Sequence, residues 1–313
     1  MERPSGPAAP RAQQLDPGPE LHGKQRHRLS HLPPLICMLI ATQPTGHPAA
    51  RPAKDRAGVA LMYHALSEPG RHPAGQDPEY TLLTRVFDRQ LHRVRQIAGG
   101  GGSVRDWLLG LHAHPVLLTF DDGHISNRHL ALGLLLRHGM TADFFINPAN
   151  VGTPGFASWS ELREMAQAGM SIQSHGERHI YLTDLSEAEL RRSLRDSRER
   201  IEDEIGQSVT LLAPPGGRMP RNLAQTALEC GFHHVLSSRP GALPAQPGTI
   251  LPRLAVTASQ AEDRFDQWIV GDAATLRRDR LRYAGLATLK RVMGNAPYEW
   301  ARNRALSVLR GAP

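Results

Sequence analysis

Three short groups of residues in this 313-residue chain carry side chains that can do chemistry. The first is Asp121-Asp122-Gly123, which directly follows the apolar run Val116–Phe120. Two adjacent carboxylates repel each other, and a bound cation relieves that repulsion while leaving one of them free as a base. The same residues are also typical of a simple Asp-Gly turn. The other two groups of residues therefore decide between a metal site and a simple turn.

The second group is a pair of histidines, His175 and His179, directly after the strand-like segment Met170–Ser174. Residues four apart lie on one face of a helical turn, so both imidazoles can reach one cation, and imidazole suits zinc and its first-row neighbours. This spacing alone is usually incidental. Combined with a carboxylate it gives a site with open coordination positions for water and substrate, which is typical of catalytic metal sites.

The third group is the loop Pro214-Pro215-Gly216-Gly217, again after a strand-like segment. Prolines fix the backbone and glycines permit close approach, so such a loop can wall a groove or present backbone N–H groups to an oxyanion. The alternative is an ordinary turn.

The elements that must position these groups alternate between strand and helix. We predict strands and helices from apolar runs, helical periodicity and glycine stops. The predicted strands are 58–66, 116–120, 141–146, 170–174, 209–213 and 233–237, and the predicted helices are 84–98, 104–111, 127–138, 158–168, 186–205 and 223–230. Two of these helices begin with capping boxes, Ser158 with Glu161 and Ser186 with Glu189. Alternation at this pace favours an α/β fold with a parallel sheet, and a barrel is favoured because every motif follows a strand.

Taken together, the motifs resemble the polysaccharide deacetylase superfamily, carbohydrate esterase family 4. The similarity covers roughly residues 58–257 and rests on TFDDG at Thr119–Gly123, SHGERH at Ser174–His179, the proline loop and the approach at Ser158–Gly176. The opening LMYHAL at Leu61–Leu66 resembles the branch that contains poly-N-acetylglucosamine deacetylases. The resemblance implies a distorted (β/α) barrel and hydrolysis of N-acetyl, or occasionally O-acetyl, groups on a glycan.

The resemblance also implies roles for individual residues. Asp121 matches the general base, and Asp122, His175 and His179 match the ligands of a divalent metal, zinc first, with cobalt, nickel or iron as alternatives. The proline loop, Pro214 to Gly216, matches a substrate-binding segment.

Two features depart from the family pattern. Ala213 stands where most members have an arginine before the proline loop, and no histidine follows His234, so the usual C-terminal acid motif is absent. His64, which ends the first strand, is the first candidate for the missing acid, with His233 or His234 as rivals. A purely structural role for His64 and return of the proton by the base are the alternatives. Arg253 can replace the missing arginine, unless it is an ordinary surface residue.

Charge is concentrated at the ends of the chain. Residues 1–57 hold eight basic and four acidic residues and residues 277–313 hold nine and two, which leaves 20 basic and 24 acidic residues in 58–276. The central part therefore has no polyanion-binding signature, and we expect a glycan partner rather than nucleic acid. The basic tail, 271–313, is predicted to form amphipathic helices that dock on the domain or touch an anionic membrane surface.

The first 57 residues contain 10 of the 25 prolines and are predicted to be a disordered leader before a catalytic domain at 58–270. Within the leader, Leu35–Ala41 follows basic residues and imitates a short secretory signal, which favours the cell envelope or periplasm over the cytoplasm. Two distant cysteines leave the compartment open, and the sequence leaves the oligomeric state open.

Two other functions remain open alongside glycan deacetylation. One is metal-dependent hydrolysis of a small non-sugar amide, and the other is glycan binding without catalysis.

Overall fold

The computed structural model describes residues 58–71 and 76–293 of the chain. The predicted leader and residues 294–313 of the predicted tail lie outside the described residues. Within them, the strands are β1 (Val59–Tyr63), β2 (Ala65–Ser67), β3 (Thr81–Leu83), β4 (Gly101–Gly102), β5 (Val116–Phe120), β6 (Asp143–Ile146), β7 (Ser171–Ser174), β8 (Leu211–Leu212), β9 (His234–Leu236), β10 (Ile250–Leu251) and β11 (Leu254–Ala255). The helices are α1 (Thr84–Ala98), α2 (Val104–Leu108), α3 (Leu132–His138), α4 (Trp159–Gln167), α5 (Glu187–Ile205), α6 (Leu223–Glu229), α7 (Glu262–Ile269) and α8 (Ala273–Met293).

Nine of these strands form one sheet in the order β10-β9-β8-β7-β6-β5-β1-β11, with β4 added beside β5. Every strand pairing in it is parallel. The two end strands of this order, β10 and β11, are separated in the chain only by Pro252 and Arg253. Three steps along the backbone span at most about 11 Å, so the two edges of the sheet must curl towards each other. The sheet is a distorted (β/α) barrel, as the sequence predicts.

Alternation along the strands divides the core into two layers. On β5, Val116, Leu118 and Phe120 pack against the helices in the larger cluster, whereas Leu117 belongs to a smaller cluster with Ala60. Side chains two residues apart share a face of a strand, so Thr119 and then Asp121 lie on the face of Leu117. The smaller cluster also holds residues of β6, β8, β9 and β10, namely Phe145, Leu211, Leu236 and Leu251. It therefore fills the interior of the curled sheet.

Helices α1 to α6 lie close to the predicted ranges, whereas α7 was not predicted, and the predicted strand 58–66 forms two strands, β1 and β2. Both predicted capping boxes are present, at Ser158 with Glu161 and at Ser186 with Glu189. The predicted helix 127–138 starts instead with a π-helical turn, Asn127–Ala131, before α3. The predicted strand 209–213 is regular only at β8, because Thr210 and Leu211 bond through their N–H groups to the Gln173 side chain.

The start of α8 packs on α7. The buried Asp279 accepts hydrogen bonds from the Trp268 indole and from Arg264 on α7. Further along α8, Leu281 and Leu286 are exposed, so the predicted apolar side of this helix does not cover the domain there. Among the described helices, none combines the length and the apolar character needed to cross a bilayer.

A buried carboxyl group lies at the amino ends of the strands, whereas the sequence motifs follow their carboxyl ends. Asp143, at the amino end of β6, is fully buried and accepts hydrogen bonds from the backbone N–H groups of Val104 and Arg105 at the start of α2. Burial raises its pKa to about 6, although Ser171 and the two N–H groups act in the other direction. The folded protein therefore holds this proton at a pH where the unfolded chain has released it.

This raised pKa predicts a pH-dependent stability difference between the wild type and Asp143→Asn. Between the ordinary pKa of 3.8 and about 6, the free energy of unfolding falls as pH rises, because the folded state binds more protons than the unfolded state. The full difference amounts to about 3 kcal/mol. Urea denaturation from pH 4 to pH 7 should show the wild type losing this much relative to the variant. A wild-type-minus-variant difference that is the same at every pH would contradict the expectation.

Candidate active site

The predicted site residues follow neighbouring strands, at the end of the sheet where the carboxyl ends of the strands lie. His64 follows β1, Asp121 follows β5, His175 follows β7 and Pro214 comes two residues after β8. In a parallel sheet the carboxyl ends of all strands lie at the same end of the sheet, so these residues are close together. Arg253 joins them from the connection between β10 and β11.

The Asp121 carboxylate is held inside the barrel by Arg253. Arg253 Nη1 lies 2.6 Å from Asp121 Oδ1, and Nη2 lies 2.8 Å from Oδ2, so the contact is bidentate. The Arg253 side chain is 0 % exposed and that of Asp121 4 % exposed. Nη1 also donates to the Thr119 hydroxyl, and the guanidinium lies over the Phe145 ring. Arg253 is therefore not a surface arginine.

This contact determines the charge of Asp121. Burial acts to raise the pKa of Asp121, but Arg253 and His175 more than offset it, and the pKa lies below its ordinary value. Asp121 is thus an ionised carboxylate with a fixed orientation.

The neighbouring carboxylate, Asp122, turns towards the two histidines instead. Its backbone is left-handed, with a φ of 74°, which among the described residues other than glycine occurs only here. Such a conformation is costly for a residue with a side chain and is concentrated at functional sites. Asp122 Oδ1 lies 3.3 Å from His175 Nε2 and 3.2 Å from His179 Nε2.

This donor set fits a tetrahedral metal ion. Donor atoms bound at about 2.0–2.1 Å to a tetrahedral zinc ion lie about 3.3 Å from each other. The three side chains form the one group of three or more metal-ligating residues with donor atoms within 4.8 Å of one another that the described residues contain. Burial acts to raise the pKa of Asp122, but hydrogen bonds with His175 and His179 hold it well below its ordinary range. The hydrogen bond to Asp122 in turn raises the pKa of His179.

Of the three histidines considered for the missing acid, only His64 lies at this edge. Asp121 N–H donates to the Tyr63 carbonyl, which sets His64 beside the two carboxylates, and the His64 ring packs against Tyr80 with the ring centres 4.6 Å apart and the planes tilted by 43°. Burial lowers the pKa of His64, and Asp122 and Asp121 act against this. His233 and His234 were wrong as candidates, because they lie at the amino end of β9, at the opposite edge of the sheet.

The proline loop contacts the segment that follows His179 through the ring of Tyr181. A side chain at Gly216 would meet the Tyr181 ring at 2.5 Å, so only glycine fits there, and the Arg218 guanidinium lies 3.6 Å from the centre of the same ring. Pro214 and Pro215 are buried and Gly216 is exposed. The N–H groups of Gly217 and Arg218 bond within the loop, which leaves this loop to shape a wall.

Two asparagines that the sequence analysis did not single out support the site. Asn147 follows β6 and donates from Nδ2 to the backbone carbonyls of His175 and Gly176, at 2.6 and 3.1 Å. Asn127 donates from Nδ2 to the carbonyl of His64, at 2.7 Å. Their signal in the sequence was position: Asn147 is a polar residue directly after a buried apolar strand, and Asn127 lies close behind Asp121.

Comparison with known proteins agrees with this arrangement. The sequence profile of the family described as "Polysaccharide deacetylase" matches residues 110–235. The matched part contains both carboxylates, both histidines and the proline loop. Over residues 110–235 the chain therefore matches the polysaccharide deacetylase family. His64 and Arg253 lie outside the matched part.

One relative carries the name polysaccharide deacetylase YxkH and comes from Bacillus subtilis (strain 168). It is 29 % identical over 155 residues, which are 49 % of this chain and 56 % of the relative. The chain thus spans about half the length of this curated relative.

Solved structures of low sequence identity share the fold. The Streptococcus pyogenes deacetylase PplD, solved with acetate, has a TM-score of 0.59 at 21 % identity and covers 68 % of this chain and 96 % of its own. IcaB from Ammonifex degensii has a TM-score of 0.56 at 22 % identity, with coverages of 68 % and 97 %. BA0330 from Bacillus anthracis has a TM-score of 0.59 at 21 % identity, with coverages of 68 % and 69 %.

The buried ion pair predicts a strong stability effect at Arg253. In Arg253→Met the Asp121 charge loses its partner inside the barrel, and we expect the free energy of unfolding to fall by about 3–5 kcal/mol, measured by urea denaturation. Adding Asp121→Asn to this variant should recover part of the loss. Arg239→Met, at an exposed position one loop away, is the matched control and should change stability by no more than about 0.5 kcal/mol. An Arg253→Met variant as stable as this control would contradict the ion pair.

Proposed function

We propose that this protein hydrolyses N-acetyl groups on a bacterial polysaccharide or oligosaccharide with the help of a divalent metal ion. The observation that carries the proposal is the division of two adjacent carboxylates, Asp121 bonded to Arg253 and Asp122 facing His175 and His179. This is the separation of base and ligand that hydrolytic metal sites need. The match of residues 110–235 to the polysaccharide deacetylase family points to the same chemistry.

In this proposal Asp122, His175 and His179 hold the ion, with zinc first and cobalt, nickel or iron as alternatives. A divalent ion held there supplies Lewis acidity, which lowers the pKa of a water molecule and polarises an acyl carbonyl. The nitrogen and oxygen donors suit zinc and its neighbours better than magnesium or calcium, which prefer oxygen ligands.

Asp121 takes the role of the general base. It accepts a proton from the attacking water, and its low pKa keeps it unprotonated and ready to accept. Arg253 binds both carboxylate oxygens and so fixes the direction from which Asp121 receives the proton. Arg253 acts through Asp121 and is a positioning residue.

His64 takes the role of the general acid. Expulsion of an amine from a tetrahedral intermediate requires a proton on nitrogen, and His64 lies beside the two carboxylates, directly after β1. Burial lowers its pKa, which makes its protonated form a stronger acid towards the departing nitrogen.

The sugar is proposed to lie along the exposed Gly216 and the Tyr181 ring, with the buried Pro214 and Pro215 fixing the loop behind them. The exposed Gly216 lets a sugar approach the backbone closely, and an aromatic ring beside it suits the apolar face of a pyranose. The opening Leu61–Leu66 favours a poly-N-acetylglucosamine substrate, and the PplD structure with acetate is consistent with an acetate-releasing relative. We place the protein in the cell envelope or periplasm on the signal-like segment alone.

The proposed activity predicts acetate release from N-acetylglucosamine oligomers with added zinc or cobalt. A chelator should abolish it, and Asp121→Asn should lower kcat by about 10²–10⁴-fold because the base is lost while the shape is kept. Absence of acetate with every metal and oligomer, or equal rates for wild type and Asp121→Asn, would exclude the proposal. A screen of small non-sugar amides in the same assay separates the amidohydrolase alternative.

The role of His64 predicts a difference between substrates with poor and good leaving groups. His64→Ala should lower kcat on an N-acetyl sugar by about 10²–10⁴-fold and change hydrolysis of 4-nitrophenyl acetate far less, since nitrophenolate leaves without a proton. Asp121→Asn, the comparison variant, should impair both substrates. Equal losses on both substrates in His64→Ala would show that His64 is not the acid.

A further inference from the structure

Two histidines of the site each accept a hydrogen bond at the backbone carbonyl from an asparagine side chain. Asn147 bonds through Nδ2 to the backbone carbonyl of His175, and Asn127 bonds through Nδ2 to the backbone carbonyl of His64. In both pairs the ring Nδ1 of the histidine and the side-chain Oδ1 of the asparagine have no hydrogen-bond partner among the described residues. The buried atoms without a hydrogen-bond partner among the described residues include His175 Nδ1, Asn147 Oδ1, His64 Nδ1 and Asn127 Oδ1.

These four atoms match as donors and acceptors. His175 directs Nε2 towards Asp122, so a neutral ring that binds a cation through Nε2 must carry its proton on Nδ1 and donate it. Asn147 Oδ1 is an acceptor without a donor, and it belongs to the same amide group that contacts the His175 backbone. His175 and Asn147 are each only 1 % exposed, so neither atom is satisfied by bulk water. A buried donor and a buried acceptor left unmatched would both cost stability.

We propose that Asn147 is a positioning residue for His175, through one buried water molecule that accepts a hydrogen bond from His175 Nδ1 and donates one to Asn147 Oδ1. This contact fixes the tautomer that exposes Nε2, and it fixes the rotation of the ring towards Asp122. Asn127 is placed to do the same for His64. The proposal rests on the proposed metal dependence and adds the residue that orients one ligand.

The test separates the two ends of the Asn147 amide. Asn147→Asp keeps an oxygen acceptor and loses the Nδ2 donor, whereas Asn147→Ala loses both. Both variants should unfold at lower temperature, because both lose the bonds to the His175 and Gly176 carbonyls. Affinity for cobalt alone, followed by the visible absorption of the bound ion, should fall about 10–100-fold in Asn147→Ala and only a few-fold in Asn147→Asp.

Asn150→Ala is the matched control, since it lies in the same loop and its side chain forms no hydrogen bond to any other described residue; its cobalt affinity should equal that of wild type. Unchanged affinity in Asn147→Ala, or equal losses in the Ala and Asp variants, would overturn the proposal. Failure of wild-type protein to bind cobalt would instead remove the proposed metal dependence.

A second readout does not depend on the Ala variant folding. In the zinc-loaded wild type, the Nδ1 proton of His175 should be visible by NMR and exchange slowly with solvent, because it is bonded inside the protein. The Asp variant should keep this signal. A His175 Nδ1 proton that exchanges in the wild type as fast as that of a free imidazole would overturn the proposal.

Discussion

A carboxylate inside a barrel requires a buried counter-charge, and much of this fold can be understood from how Asp121 obtains one. Unpaired, this charge would be driven to protonate and would be lost as a base. The bidentate contact with Arg253 keeps it ionised in the interior. Because Arg253 comes from the connection between the two edge strands, the ion pair forms only when the sheet has curled. Closure of the barrel therefore supplies the counter-charge that keeps Asp121 ionised.

The position of Arg253 also explains the small residue before the proline loop. Ala213 lies in the interior cluster with Phe145, the ring that Arg253 covers. An arginine at position 213 would bring a second guanidinium into the same enclosed space, with one carboxylate to share. Ala213 and Arg253 are thus complementary in volume and charge, although one follows β8 and the other lies between β10 and β11.

The sequence predicted the parts of the site that depend on local order along the chain. Strand, turn and histidine spacing are local, so the parallel sheet and the placement of the two carboxylates and the two histidines at the same end of it followed from them. That Asp122 rather than Asp121 faces the histidines came from the family resemblance. For Arg253 the sequence left two alternatives, a replacement for the arginine that orients the base and an ordinary surface arginine. The choice depends on how far the sheet curls, and periodicity carries no information about that. His233 was a candidate because its strand was known, but the strand's direction places it at the wrong edge.

The asparagines show why orientation is harder to predict than identity. Residue types that bind a metal can be recognised in a sequence, but which ring nitrogen faces it depends on what the other nitrogen contacts. At His175 and His64 the proposed neighbour is an asparagine from another element. Asn147 follows β6 and Asn127 begins the π-helical turn, and each bonds through Nδ2 to the backbone carbonyl of its histidine. The π-helical turn begins at Asn127, whose side chain bonds to the backbone carbonyl of His64, directly after β1. The same strand ends that supply the reacting groups thus supply the groups that hold them.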